Sequence, residues 1–364
     1  MKCFKSLIPA ANHMVDNAKF NRLRNNKRAV IRLSPGTLVK TSYFGQQKNL
    51  PLVVEPNLSD VNLEVWLQGN LDFVEAELLK SGAILFRNFK IDSVKDFNQV
   101  IRAVSQELLE YSEPSSPRTE IAGKIYTSTD YPASQWIEMH NEKSYSHQWP
   151  SKVFFFCLQP ADQGGETPIA HSRKVWELLD SSIKKRFTEK QVMYVRNFGR
   201  GRDIPWQHVF NTTEKTEVER YCHRAGIIFE WRDNDRLRTR QIRQSTLEHP
   251  ITGETVWFNQ VHAFHPACLF PSVREALRAE MEEEDFPRYA CYGDGSPIED
   301  WVITEIRETY MRAACLFQWQ KGDLLLLENM LTAHGRAPFT GPRQILVAMS
   351  GLVNNQDLST FPFG

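Results

Sequence analysis

The sequence predicts one mainly β domain over residues 49–364, a sandwich or barrel buttressed by helices, behind a basic extension over residues 1–48. Three observations predict it. From about Tyr126, short apolar runs recur with turn residues between them: "KIYTSTDYP", "KVFFFCLQP", "IIFEW", "TVWFNQV", "GDLLLLEN" and "RQILVAMSGLV", each of strand length and composition. Helical patterns lie between these strands without regular βαβ alternation, which disfavours a doubly wound parallel sheet. The chain of 364 residues can bury a sizeable core and shows no internal repeat or low-complexity linker.

The elements follow in order. Residues 1–48 hold ten Lys or Arg against the single acid Asp16, and the remainder holds 34 basic and 43 acidic residues. Such an arm is a solvated extension, a contact surface for an acidic partner, or a transit sequence. No nucleic-acid-binding module accompanies its charge. "LPLVVEP" opens the body. "NLDFVEAELLKSG" reads as a helix with Asn70 as cap and Gly82 as stop. "AILFRNF" reads as a buried strand, and "DSVKDFNQVIRAVSQELLEY" as a helix that sets Phe97, Val100, Ile101, Val104 and Leu108 on one face, with Ser93 and Asp96 as a capping box. Further helices are expected in "HSRKVWELLDSSIKKRF", "PSVREALRAEMEEEDF" and "DWVITEIRETYMRAACLF", with the acidic run Glu282 to Asp285 as a solvated helix end.

Composition narrows the class. A hydrophobic share of 41% and a charged share of 24% are those of a globular protein and exclude disorder throughout. No window reaches 18 apolar residues and the start lacks the apolar core of a secretory signal, so the expectation is a cytoplasmic protein with no membrane partner. The six cysteines (Cys3, Cys157, Cys222, Cys268, Cys291, Cys315) form no C-x-x-C pair and no regular spacing. They are expected as small core residues rather than a disulfide or zinc framework.

Chemistry concentrates at two places. In "MHNEKSYSH", His140 and Glu142 are two apart, and in an extended chain such residues project to one side. That makes a metal-ligand pair, or else a solvated polar loop. Near the other end, in "GDLLLLENMLTAHGRAPFTGPRQILVAMS", His334 follows an apolar strand, and Arg343 opens the next one. Two histidines and a carboxylate are the ligand set of a non-haem iron(II) facial triad. Its open positions suit a chelating cosubstrate and dioxygen, which a closed structural zinc site excludes. His147, His171, His249, His262 and His265 are more simply hydrogen-bonded structural histidines.

The phrases "SSPRTEI", "IYTSTDYP", "HNEKSYSHQWP", "FFFCLQPADQGGETPIAHSR", "YVRNFG", "VWFNQVHAFH" and "QWQKGDLLLLENMLTAHGRAPFTGPRQILVAMSG" together resemble the taurine dioxygenase/clavaminate synthase superfamily of Fe(II)- and 2-oxoglutarate-dependent oxygenases. Within it, the chain looks like the branch named after the syringomycin-biosynthesis hydroxylase. The resemblance spans about Leu50 to Val353. It implies a double-stranded β-helix (a clavaminate synthase-like jelly-roll) on which His140, Glu142 and His334 hold the iron, Thr167 and Arg343 bind 2-oxoglutarate, and O2 is the oxidant. It also places Arg118, Asn259 and His262 on the substrate side.

Charge supports the arginine independently. Iron(II), one carboxylate and a dianionic cosubstrate leave one net negative charge, so a buried site needs a fixed cation. Arg343 supplies it as a planar fork; Arg336 competes, but it falls in the turn if His334 ends its strand. The implied activity is hydroxylation of an amino-acid-like small molecule or a carrier-tethered aminoacyl group in natural-product assembly, with an acidic carrier-protein domain as the partner of the basic arm. Glu142 argues against a halogenase, whose related folds lack that carboxylate. The alternatives are a desaturase or cyclase on the same scaffold, and a non-catalytic binding protein that kept the fold.

Overall fold

The computed structural model describes residues 38–44, 50–111, 113, 118–129, 131–199, 201 and 203–355. Most of the basic extension therefore lies outside the described residues.

The first strands are β1 (Val39–Tyr43), β2 (Leu52–Pro56), β3 (Ala83–Phe86), β4 (Glu120–Ala122), β5 (Ile125–Thr127), β6 (Ile137–His140), β7 (Gln148–Gln159), β8 (Gln163–Gly164), β9 (Ile169–His171) and β10 (Val192–Phe198). They are followed by β11 (Ile228–Arg232), β12 (Arg236–Arg243), β13 (Thr246–Glu248), β14 (Thr255–Trp257), β15 (Arg288–Tyr292), β16 (Ala314–Cys315), β17 (Leu324–Glu328), β18 (Thr332–Arg336), β19 (Phe339–Thr340) and β20 (Gln344–Asn354). A major sheet runs β1-β2-β3-β17-β7-β20-β5-β4 and a minor sheet β16-β9-β18-β6.

The unbroken apolar run in "VFFFCLQP" has a direct cause. β7 lies between β17 and β20 at the centre of the major sheet, and both of its faces are covered. Phe154 and Phe156 point to one side and join a core with Trp66, Leu67, Leu78, Phe97 and Ile101 of the N-terminal helices. Val153, Phe155 and Cys157 point to the other and pack with Ile169 of the minor sheet and with Phe317 and Trp319. Strands buried on both faces lose the alternating pattern and read as continuous apolar runs. Beyond the minor sheet, Met139, Ala170 and Ala333 pack against the helices Ser172–Leu178, Ser181–Lys190 and Asp300–Ala313. Two facing sheets with helices outside each make the jelly-roll the motifs implied. A further four-stranded sheet, β11-β12-β10-β15, carries its own core under the helix Lys215–Ala225.

Local chemistry sets the ends. The helix Leu71–Ser81 stops at Gly82, whose φ of 71° suits a residue without Cβ. Asn70 stands at the N-cap of that helix, but its side chain makes no cap bond there: it donates to the Trp66 carbonyl at 2.7 Å and closes the preceding helix Leu63–Gln68. The helix Val94–Val104 is capped by Ser93, whose hydroxyl accepts from the Asp96 amide at 3.2 Å. It ends four residues before Leu108, which is buried beside β20 through a bridge to Ser350.

The expected helix after His171 breaks at Asp180, which caps a second helix by accepting from Ser182. The acidic run does not end the helix, which stops at Arg278, although Glu282 and Glu284 are exposed as expected. Glu283–Asp285 form a 3-10 turn in which Glu283 binds Arg274 at 2.7 Å and Asp285 binds Arg232 at 3.1 Å and Arg238. Cys157, Cys222, Cys291 and Cys315 are free and buried, as small core residues would be. Among the described residues, no helix is long and apolar enough to cross a membrane.

One buried ion pair ties β3 to the turn before β17. Arg87 Nε donates to Asp323 Oδ1 at 2.9 Å and Nη2 to Oδ2 at 2.6 Å, with Asp323 1% exposed. Removing one partner strands the other charge in the core, so Arg87→Met is expected to lose about 3–5 kcal/mol of unfolding free energy in a denaturant titration.

Candidate metal centre

His140 ends β6 and His334 lies inside β18, and the antiparallel register sets the two directly opposite each other. Opposed residues on neighbouring strands bring their Cβ atoms to about 5 Å, and the two imidazole rings stand 4.7 Å apart. Glu142 reaches the same point differently from the expected extended pair. It sits in a turn past the end of β6, followed by Lys143 at a φ of 57°. Its carboxylate Oε2 lies 3.8 Å from His334 Nε2, and one ligand atom from each of the three residues falls within 4.8 Å of the others.

The turn is held by Asn329, just past β17. The Asn329 amide donates to the carbonyls of Glu142 at 2.9 Å and Pro150 at 2.8 Å, and its Oδ1 accepts from the Glu142 backbone N–H at 2.7 Å. Asn141 adds bonds to Ser172 Oγ and the Asn329 carbonyl. The sequence reading missed Asn329. Its signal is a Glu-Asn pair directly after four leucines in "GDLLLLEN", a polar residue placed where the chain is still buried.

The protonation states suit a cation. Burial works to raise the Glu142 pKa, but the Arg118 guanidinium at 2.9 Å holds it down at about 2. Burial pushes both histidines down, His334 furthest, so at neutral pH the imidazoles are uncharged. His140 Nδ1 lies 2.7 Å from the Glu138 carbonyl, which fixes the proton there and leaves Nε2 as an acceptor. His334 Nδ1 is buried without a hydrogen-bond partner among the described residues. Two neutral nitrogens and one carboxylate, already deprotonated and converging, form a donor set ready for a divalent metal.

Two cavities meet at this point and share Arg118 and His140. The larger, about 950 Å³, is walled by Glu138, Gln260, Phe264, Arg288 and Arg307 among others. The narrower is walled by Ser128, Phe155, Thr167, Arg336 and Arg343. Arg343 Nε donates to the Gly165 carbonyl at 3.0 Å, and Arg343 has no carboxylate partner among the described residues. Burial and the neighbouring Arg336 lower its pKa to about 10, so it stays charged at neutral pH. Gly165, at a φ of 72°, gives it room: a Cβ there would stand 3.0 Å from Arg343 Cδ and Nε. Thr167 Oγ1 accepts from Trp319 Nε1 at 3.0 Å, which leaves its own proton to donate.

Arg336 is not in a turn, since β18 continues through it. Its guanidinium is nevertheless occupied, donating to the carbonyls of Tyr131, Pro132 and Gln135 at 2.9, 2.6 and 2.9 Å. Of the residues expected on the substrate side, Arg118 lines both cavities. Asn259 and His262 are corrected: both are fully buried and line neither cavity. Asn259 bonds the Ser245 carbonyl and the Val261 amide, while His262 bonds the Met139 carbonyl and lies tilted against the Tyr310 ring. Through Met139, His262 supports the strand that ends in His140. Gln260, between them, does line the larger cavity.

Asn329→Ala would leave the Glu142 amide and two carbonyls unpaired in the core. The expected result is a loss of about 1–3 kcal/mol in stability together with weaker divalent-metal binding, read by denaturant unfolding and by metal titration.

The taurine catabolism dioxygenase TauD, TfdA family pattern matches residues 44–349. The chain is 41% identical over 276 residues to the dapdiamide synthesis protein DdaC of Enterobacter agglomerans, covering 76% of this chain and 84% of the relative. It is 27% identical over 322 residues to a clavaminate synthase-like protein of Arabidopsis thaliana, covering 84% and 94% of the two chains. The fold is that of the PvcB protein of Pseudomonas aeruginosa, with a TM-score of 0.54 at 14% identity over 90% of this chain and 96% of that one. The chain belongs to the taurine catabolism dioxygenase TauD, TfdA family, and it is an iron- and 2-oxoglutarate-dependent dioxygenase.

Proposed function

We propose that His140, Glu142 and His334 hold iron(II), that Arg343 and Thr167 hold 2-oxoglutarate in the narrower cavity, and that the larger cavity takes an amino acid or a carrier-tethered aminoacyl group for hydroxylation. The observation that carries this reading is the convergence of three deprotonated ligand atoms within 4.8 Å at the junction of two cavities. The kinship with DdaC, a protein named for dapdiamide synthesis, supports a role in natural-product assembly.

Iron and 2-oxoglutarate, when bound, supply the oxidising power drawn from dioxygen, with succinate and carbon dioxide as by-products. The chain's own residues do the positioning. Arg343 presents a charged fork to the distal carboxylate of 2-oxoglutarate, a charge-assisted contact worth about 1.5–3 kcal/mol. Thr167 adds a hydroxyl donor whose oxygen Trp319 already fixes. Arg118 holds the Glu142 carboxylate ionised, and its Nε and Nη1, without partners among the described residues, are donors for a polar group of the substrate. The presence of Glu142 as a ligand favours hydroxylation over halogenation, because it fills the position a halide would need. The basic residues 1–48 would meet an acidic carrier domain, with charge speeding the encounter.

The reading is tested by succinate release when the protein, iron(II) and 2-oxoglutarate are mixed anaerobically with candidate substrates and then exposed to air. His334→Ala should abolish iron binding and turnover. Arg343→Ala should raise the 2-oxoglutarate requirement about 10- to 150-fold with little change in the substrate requirement, whereas Arg336→Ala should not. Deleting residues 1–37 should slow only the carrier-tethered substrate, most at low salt.

A further inference from the structure

The turn that carries Glu142 is held at two places, and only one of them belongs to the jelly-roll. Asn329 meets its backbone from just past β17. The rest of the turn meets Glu113, a buried carboxylate that lines neither of the two cavities and has no task in holding metal or cosubstrate.

Glu113 bonds the turn twice. Its backbone carbonyl accepts from the Tyr145 hydroxyl at 2.5 Å, and its carboxylate Oε2 accepts from the Ser146 hydroxyl. The other carboxylate oxygen, Oε1, accepts from the hydroxyl of Tyr221 on the helix Lys215–Ala225. The Tyr221 ring stands edge-on to His147 with centroids 5.8 Å apart, so Glu113, the turn and the helix close a ring of contacts. Glu113 and Lys143 both hold positive φ, 49° and 57°. That conformation costs a residue with a Cβ energy and persists where its surroundings enforce it. Burial works against the Glu113 charge, yet Lys143 and the two hydroxyls hold its carboxyl below the ordinary range.

The helix matters because of what it covers. It packs over the sheet β11-β12-β10-β15, and residues of that unit wall the larger cavity: Arg288 of β15, and Asp203 and Ile204 after β10. On the functional reading above, which this inference rests on, Glu142 is a ligand of iron. We propose that Glu113 is a positioning residue for Glu142: it ties the ligand-bearing turn to the helix Lys215–Ala225 and so sets where the Glu142 carboxylate meets the metal. The unit that shapes the larger cavity is thereby bonded to the turn that presents a metal ligand.

The test is an anaerobic titration of full-length protein with iron(II) in the presence of 2-oxoglutarate, followed by the visible charge-transfer absorption of the complex, beside denaturant unfolding of the metal-free protein. Glu113→Gln should weaken iron binding about 10-fold, as for residues that support a metal ligand, and shift the absorption band. Tyr221→Phe removes one hydroxyl and keeps the ring, and should weaken iron binding about 3-fold or more. Leu67→Ala, in the core on the far side of the major sheet, is the control. It should lower the unfolding midpoint at least as much, yet leave iron affinity and the band unchanged. Native-like affinity and absorption in either Glu113→Gln or Tyr221→Phe would overturn the proposal. Equal losses in Leu67→Ala would do the same, by marking the effect as general destabilisation. If Glu113→Gln does not fold, Tyr221→Phe and Ser146→Ala decide by the same criteria. Failure of the unsubstituted protein to bind iron would overturn the functional reading, and the role of Glu113 with it.

Discussion

Glu142 is ionised and 4% exposed, and the surroundings of the metal centre follow from the cost of keeping a charge there. An unpaired carboxylate in a low-dielectric interior loses several kcal/mol of solvation. Arg118 offsets that loss with a buried contact at 2.9 Å, and the neutral imidazoles of His140 and His334 leave room for a cation to take over the rest. Asn329 meets the backbone of the same residue, so that neither the charge nor the peptide groups carrying it are left unsatisfied. A centre built this way is preformed: its ligand atoms converge because the strands and the turn hold them there.

The major sheet was legible because its central strands are buried on both faces. The runs around Phe154–Phe156 and Leu324–Leu327 have no polar side, and few structures other than an internal strand accept them at that length. Helix positions were legible from periodicity, and their ends less so. Asn70 carries the right chemistry for an N-cap, yet its side chain turns back to the previous helix, a choice between two adjacent helix termini that spacing does not decide. The acidic run Glu282 to Asp285 looks solvated in isolation. Its partners, Arg274 and Arg278 on the preceding helix and Arg232 and Arg238 on β11 and β12, become neighbours through tertiary packing.

The same division holds at the centre. The spacing of His140 and Glu142 marked them, though the strand geometry first invoked is not the one that joins them: β6 ends at His140 and the turn delivers Glu142. That His334 stands opposite His140 is a matter of register between distant strands, which no local pattern encodes. Asn259 and His262 show the converse. Polar residues in an apolar phrase invite a functional reading, but both are consumed by backbone bonds inside the core. Arg118 was marked as a substrate contact; its ion pair with Glu142 joins residues 24 apart in the chain and has no counterpart in spacing.

The central claim is that three side chains, and no fourth from the protein, bind the metal at the junction of the two cavities. An anomalous-diffraction map of anaerobic crystals grown with iron(II) and 2-oxoglutarate tests it most directly. The account predicts one iron peak bonded to His140, Glu142 and His334, with 2-oxoglutarate chelating it and extending to Arg343. A peak elsewhere, or a further protein side chain closing the coordination sphere, would contradict it.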